Sequence, residues 1–419
     1  MLFLRFFKMY YKNMSSYKKI LKQLLEISLL KEKPSTLENV QSLNKALSYP
    51  TSTYSTIHVA GTNGKGSVSM KIAKALEYCG YRVGLYTSPH VHSLRERICI
   101  NSELISEEEM VCGAEKLFQV CQKLGLDLSF FELMTFLAFE FFCEKRVDIA
   151  VIETGLGGRL DATNILCPIL TVITSISKEH MQFLGQNLEK IAFEKAGILK
   201  PKVPVVLGPR ARFQSIYNHA CALNCPVYYV SKVFHFFDEE NSEIAKNSLE
   251  QLKTDFILTQ KAIDQALILR PSCRFEVCGD VIFDVAHNPE AIFYLLQALH
   301  YFFPKKRLRF VVGFSKNKDY ESCLELIAPV ATHIHLVQGN YKLASASELS
   351  FALKDAPFSF YTCHQSIEEG VKAAFNFAFQ ANELTVVCGS FYIMQEAKNI
   401  TYPTKAFDLN MQEAPIAFS

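Results

Sequence analysis

Hydrophobic positions along this chain follow two rhythms. Short, largely apolar runs recur at residues 57–60, 82–88, 148–153, 169–176, 203–208 and 226–231. Between them, apolar residues return every three or four positions. Examples are Ile20, Leu24, Leu25, Ile27 and Leu30 within 16–48, Val68, Ile72, Ala73 and Leu76, and the stretches 106–124 and 132–145. The first rhythm predicts strands buried on both faces, the second amphipathic helices. A helix restarts at Pro34-Ser35-Thr36-Leu37. Fully apolar strands alternating with helices predict a parallel sheet covered on both sides, an α/β fold. From about residue 232 the pattern changes. Glu239, Glu240, Asn241 and Glu243 open a polar helical stretch, and Arg270-Pro271-Ser272-Cys273-Arg274 reads as a linker. A second alternation follows, with strands expected at 281–285, 307–313, 334–338, 358–361 and 385–388. The reading is two domains, 1–269 and a smaller 274–419, without internal repeat or low-complexity segment.

Candidate chemistry concentrates at residues 56–70, TIHVAGTNGKGSVSM. A strand runs into Gly61-Thr62-Asn63-Gly64-Lys65-Gly66-Ser67 and then into a helix. Glycines let backbone N–H groups turn toward phosphates, Lys65 reaches the terminal phosphates, and the helix start adds positive potential. The spacing is shorter than the usual phosphate loop, and Gly66 separates lysine from hydroxyl; the competing reading is an ordinary glycine-rich turn. In parallel sheets ligands bind beyond the carboxyl ends of the strands. Ser88, Glu153 and His180 each fall at or just after such an end, so they are expected on the same rim. Hydroxyl, carboxylate and imidazole beside a phosphate loop make a Mg²⁺ site, although imidazole is an unusual ligand for that ion. By themselves, Glu153 also reads as a helix cap and His180 as a satisfied loop residue. His90 and His92 read as loop residues rather than metal ligands. In the second half, Asp284-Val285-Ala286-His287-Asn288-Pro289 follows a strand, with Pro289 placed to open a helix.

Composition narrows the classes. With 419 residues the chain is long enough for two or three domains. Hydrophobic residues at 49% and charged residues at 21% fit a globular protein, and a net charge of +2 gives no electrostatic case for nucleic acid. No run of 18 apolar residues predicts a membrane span. The thirteen cysteines form no C-x-x-C pair; Cys221 and Cys225, the closest, read as core residues. Free thiols without an export signal predict a reducing cytoplasm. Residues 1–13, MLFLRFFKMYYKN, are interrupted by Arg5 and Lys8 and lack a cleavage site, which reads as an extended start ahead of Met14.

The stretches HVAGTNGKGSV, YTSPHVHSLRERI, ETGLGGRLDATN, KEHMQFLG, IAFEKAGILK, DVAHNP and CGSFYIM, in this order over most of 56–395, carry a resemblance. The chain resembles the folylpolyglutamate synthase/dihydrofolate synthase family of the Mur ligase superfamily. The resemblance implies an N-terminal P-loop ATP-binding domain with a parallel sheet and a smaller, Rossmann-like C-terminal domain. It implies an ADP-forming amide ligase. A substrate carboxylate attacks the γ-phosphate of ATP to give an acyl phosphate, and the amine of L-glutamate displaces phosphate. Acceptors are dihydropteroate and reduced folates, and the expected state is a cytoplasmic monomer.

Carried over by residue, the resemblance makes Lys65, Lys195 and His180 catalytic. Thr62, Asn63, Gly64, Lys65, Gly66, Ser67, Asn241, Arg274 and Asp284 would bind ATP. Ser129, Leu160, Asp161 and Ala162 would bind the pterin. Ser88, Glu153, His180 and Lys195 would hold two Mg²⁺ ions, with Lys195 carbamylated; a monovalent cation is also compatible. His287 would position phosphate or glutamate. Two departures stand out. Ser272-Cys273-Arg274 replaces the usual Pro-Gly-Arg, and Thr36-Leu37-Glu38-Asn39 replaces Gly-Leu-Glu-Arg, which removes an arginine expected near the pterin. The alternatives are a Mur-type cell-wall amino-acid ligase, which usually carries an additional N-terminal domain, and a non-catalytic ATP-binding regulator.

Overall fold

The computed structural model describes residues 15–30, 37–232, 234–354 and 360–401, and the structural statements below concern these. Residues 1–13, Met14 and the helix restart at 34–36 lie outside them. Eight strands build a first sheet: β1 (Ser55–Ala60), β2 (Val83–Tyr86), β3 (Ile98–Ile100), β4 (Glu103–Leu104), β5 (Ile149–Glu153), β6 (Leu170–Ser175), β7 (Val205–Arg210) and β8 (Val227–Tyr229). Their order is β4-β3-β2-β5-β1-β6-β7-β8. All neighbours pair in parallel except at the β2–β3 and β3–β4 contacts, which are antiparallel. The apolar runs account for β1, β5 and β6, which are buried along nearly their whole length.

Both faces of that sheet are covered. On one face, helix Lys65–Tyr78 packs against helices Phe237–Gln251 and Gln260–Leu267. On the other, helix Phe130–Glu144 contributes Phe136, Phe139 and Phe142 to a core shared with Tyr86. That helix, FFELMTFLAFEFFCE, is apolar nearly all round, as a helix enclosed by its own domain must be. Ser129 and Glu132 start it with a capping box, each side chain accepting a backbone N–H of the other.

The second sheet holds β9 (Glu276–Cys278), β10 (Val281–Phe283), β11 (Leu308–Val312), β12 (Ala331–Val337), β13 (Tyr361–His364) and β14 (Leu384–Cys388), in the order β13-β12-β11-β14-β10-β9. Only β9 runs antiparallel among them. The chain crosses between the sheets at residues 270–275. Cys273 and Phe275 there take left-handed backbone angles, φ 58° and 48°, and both are buried.

The structure corrects the expected elements in three places. The strand expected at 358–361 lies at Tyr361–His364; residues 355–359 are outside the described set. β13 is an edge strand with Tyr361, Thr362 and Cys363 exposed, so it shows no apolar run. Ile98–Ile100, within the segment read as a loop, adds β3 antiparallel to β2, and Glu276–Cys278 adds β9 beside β10. β9 and β13 lie at sheet edges, where pairing on one side only leaves little apolar signal, whereas β3 is apolar but only three residues long.

Candidate active site

The phosphate loop leaves β1 at its carboxyl end. Register places Val59 opposite Glu153 and Ala60 opposite Ile173, so the ends of β5 and β6 stand beside the loop. The end of β6 fastens it. Thr62 N–H donates to the Ser175 carbonyl at 2.8 Å, Asn63 N–H to Ser175 Oγ at 2.9 Å, and Thr174 Oγ1 donates to the Asn63 carbonyl at 2.7 Å. Two glycines make this fit possible. A Cβ on Gly61 would sit 1.9 Å from Thr174 Oγ1, and one on Gly64 would sit 2.4 Å from Asn241 Oδ1. Gly64 also takes φ 89° just before helix Lys65–Tyr78. Gly66, the unusual spacer between lysine and Ser67, has its missing Cβ 3.4 Å from Glu153 Oε2. A side chain there would press on the carboxylate.

Around this loop the expected groups converge. Lys65 Nζ donates to the Gly61 and Thr62 carbonyls, both at 3.1 Å, and Lys195 Nζ donates to the same Gly61 carbonyl at 2.7 Å. Burial first, and the nearby Lys65 charge second, bring the Lys195 ammonium down to about 7. Glu153 is enclosed and accepts the Ser88 N–H at 3.0 Å. Burial pushes its carboxyl up, while Lys65 and that hydrogen bond oppose the rise. His180 is held to about 3, by burial and then by the Lys318 charge, so its ring is neutral and keeps a lone pair.

Among the described residues no group of three or more His, Cys, Asp or Glu side chains forms a metal site by itself. The expected set needs only Glu153 and His180 of those types. An enclosed carboxylate, the Ser88 hydroxyl position and a neutral imidazole beside a phosphate loop fit a hard divalent ion that takes its remaining ligands from phosphate oxygens.

The second sheet faces the loop. Asn63 Nδ2 donates to Glu290 Oε2 at 2.7 Å, and Asn288 Nδ2 donates to Asn63 Oδ1 at 3.0 Å. Arg210 pairs with both Glu240 (2.9 Å) and Glu290 (3.1 Å) and lies over the Tyr294 ring. Arg274 stacks on Phe391 at 4.7 Å and is felt electrostatically by Glu153 across the cleft. Asp284 accepts the Phe275 and Ala286 N–H groups, each at 2.7 Å, so its carboxylate shapes the crossing between the sheets. Asn241 lies against Gly64, within reach of the loop.

The expected pterin residues have structural duties. Ser129 caps its helix. Asp161 is enclosed and accepts from Gly155, Leu156 and Thr163 N–H at 2.9, 2.8 and 3.0 Å, which fixes the course of the glycine-rich turn. Ala162 is buried in the core, whereas Leu160 is exposed on that turn. Sequence reasoning missed Glu179 and Lys318. Lys318 Nζ lies 2.8 Å from Glu179 Oε1 and 3.4 Å from His180 Nε2. Glu179 stands beside His180 in KEHMQFLG, where a carboxylate after a strand end was a usable signal. Lys318 follows β11 in a loop without a motif.

Comparison with known proteins places the chain in a family. Residues 59–231 match the Mur ligase middle domain and residues 273–391 the Mur ligase glutamate ligase domain. The dihydrofolate synthase/folylpolyglutamate synthase of Haemophilus influenzae is 31% identical over 388 residues, covering 81% of this chain and 87% of that protein. The structure of Escherichia coli FolC in complex with DHPP and ADP aligns with TM-score 0.82 and 26% identity, over 91% of this chain and 97% of that one. A Yersinia pestis bifunctional folylpolyglutamate synthase/dihydrofolate synthase complexed with AMPPNP and a Mn ion aligns with TM-score 0.80 and 28% identity, over 91% and 98%. With its site assembled from both sheets and a relative this similar along most of its length, the chain belongs to the dihydrofolate synthase/folylpolyglutamate synthase family of ATP-dependent Mur ligases.

Proposed function

We propose that this protein joins L-glutamate to dihydropteroate and to reduced folates, forming ADP and phosphate through an acyl phosphate. The observation that carries the reading is the meeting of Lys65, Lys195 and Glu153 at one phosphate loop, with Arg274 facing them from the second sheet. The chemical obstacle is the approach of a carboxylate anion to a phosphate anion. Backbone N–H groups of residues 62–67 and the Lys65 ammonium accept the charge of the phosphates. Arg274 and Asn241 hold the nucleotide from the two sides, and Asp284 keeps the crossing segment in place. His287 and Asn288 border the space where the amine of glutamate meets the acyl phosphate, so positioning supplies much of the remaining rate.

Divalent ions, Mg²⁺ at two positions by the resemblance, would be held by Ser88, Glu153, His180 and Lys195 and would neutralise phosphate charge there. Lys195 suits the carbamate reading. With its ammonium brought to about 7, a good fraction is free amine at neutral pH. That amine attacks CO₂, forms an N–C bond, releases a proton and becomes an oxygen donor of negative charge.

On this reading the protein acts as a monomer in the cytoplasm. Among the described residues no helix is long and apolar enough to cross a membrane, and all thirteen cysteines are free. The test supplies purified protein with ATP, L-glutamate and one acceptor at a time: dihydropteroate, a reduced folate, or a UDP-sugar acid. Release of phosphate with glutamylated product from the first two supports the reading. Turnover only with the UDP-sugar acid, or ATP binding without product, overturns it.

A further inference from the structure

Between the two sheets one carboxylate gathers two donors from the other side. Glu179 follows the end of β6 on the first sheet, while His287 and Lys318 follow β10 and β11 on the second. Glu179 Oε1 lies 3.0 Å from His287 Nε2 and 2.8 Å from Lys318 Nζ. The other ring nitrogen, His287 Nδ1, lies 2.8 Å from the Val285 carbonyl. Glu179 therefore draws in two groups of the second domain, the His287 ring and the Lys318 ammonium. The ring of His287 is backed by Phe391, which also carries Arg274.

We propose that Glu179 is a positioning residue: it clamps the second domain to the first and fixes the His287 ring and the Lys318 ammonium at the cleft where the amino acid enters. Charges enclosed in this way are costly to separate once one partner is removed, because the remaining group stays buried without its counter-charge. The phosphate loop makes none of these bonds, although Lys318 Nζ also lies 3.4 Å from His180 Nε2, so loss of Glu179 is expected to disturb use of glutamate more than binding of ATP. The contribution to catalysis rests on the ligase reading above; the contribution to domain arrangement does not.

The test uses the full chain with Glu179→Gln, Glu179→Asp, Lys318→Met and the Glu179→Gln/Lys318→Met double variant. First, wild-type ligation of glutamate to dihydropteroate is measured; its absence defeats the ligase reading and leaves the domain readout to judge the clamp. Glu179→Gln is expected to lower kcat/KM for glutamate by about 30-fold or more, with the KM for ATP within about twofold of wild type. Glu179→Asp recovers part of that loss. The double variant is expected to be no worse than the poorer single variant, as for two halves of one contact. X-ray scattering of the ATP-bound protein is expected to show a larger radius of gyration for Glu179→Gln, at unchanged helix content by circular dichroism. Multiplicative losses in the double variant, an equal rise in the KM for ATP, or an unchanged radius of gyration would each overturn the proposal. Should Glu179→Gln fail to fold, Lys318→Met, whose side chain is replaceable without leaving an enclosed charge of its own, carries the same readouts.

Discussion

Replacing Gly64 by alanine separates two constraints that meet at the phosphate loop. The first is backbone conformation. Gly64 sits at φ 89°, in a region that costs an L-residue about 1 kcal/mol relative to glycine. The second is space, because the new Cβ falls 2.4 Å from Asn241 Oδ1. Asn241 is buried on helix Phe237–Gln251, which packs directly on the helix following the loop. Moving it adds about 1–3 kcal/mol, the usual range for overpacking. The sum, about 2–4 kcal/mol, corresponds to a fall of roughly 5–15 °C in the first domain's transition for a unit of that size. Scanning calorimetry of wild type, Gly64→Ala, Asn241→Ala and the double variant measures it. In the Asn241→Ala background the steric part disappears, and the added alanine should cost only about 1 kcal/mol, or some 2–4 °C. An equal shift in both backgrounds would refute the assigned contact and leave backbone strain as the whole effect.

Three other outcomes follow from the geometry. Lys65→Ala is expected to lower kcat by about 10²–10³, with the melting temperature little changed, since Lys65 Nζ donates to carbonyls of its own loop; steady-state phosphate release checks this. Asp161→Asn puts an amide where three N–H groups converge, and is expected to cost about 1–3 kcal/mol of stability in urea unfolding and to raise the KM for dihydropteroate while that for ATP stays constant. In the second domain, His335 meets His364 at 2.9 Å and Arg309 at 3.2 Å, beside His333 and with Glu383 holding Arg309. Burial first, then His333, His364 and Arg309, bring His335 to about 3. The unfolded chain takes up that proton near pH 6.5. Stability is therefore fully present above about pH 6.5 and is lost as the pH falls from there toward about 3. Urea midpoints at pH 7.5 and pH 5 should differ for wild type and differ less in His335→Gln, with the share from other enclosed histidines remaining; an undiminished difference would contradict the assignment.

The sequence carried the fold wherever burial was two-sided. β1, β5 and β6 are enclosed on both faces, so their apolar runs were unmistakable, and the strand-end rule pointed to Ser88 and Glu153, whose N–H and carboxylate meet at 3.0 Å. The edge strands β9 and β13 were illegible or displaced because an edge needs little apolar content, and β3, paired on both sides, is too short at three residues to stand out. Function was similarly uneven. Lys65 and Lys195 stand in recognisable stretches, and both ammonium groups donate to the Gly61 carbonyl. Glu179 and Lys318 gain meaning only when the second sheet is set against the first, a relation that no local pattern encodes. Asp161 holds its turn by three backbone hydrogen bonds, a duty that no local pattern announces.

The crossing between the two halves has a mechanical consequence. Where relatives of this family usually place a glycine, Cys273 occupies the left-handed region with its thiol sealed from solvent, and Phe275 does the same two residues later. Cys273 is also tethered on both sides, its N–H to Glu276 at 2.7 Å and its carbonyl to the Val285 N–H at 3.0 Å. A glycine joint would swing freely through many orientations. This crossing instead holds about 1–2 kcal/mol of backbone strain at each of the two residues. Its tethers run to β9 and to the end of β10, so the C-terminal half is keyed to its own first buried residues as a shaft is keyed into a hub.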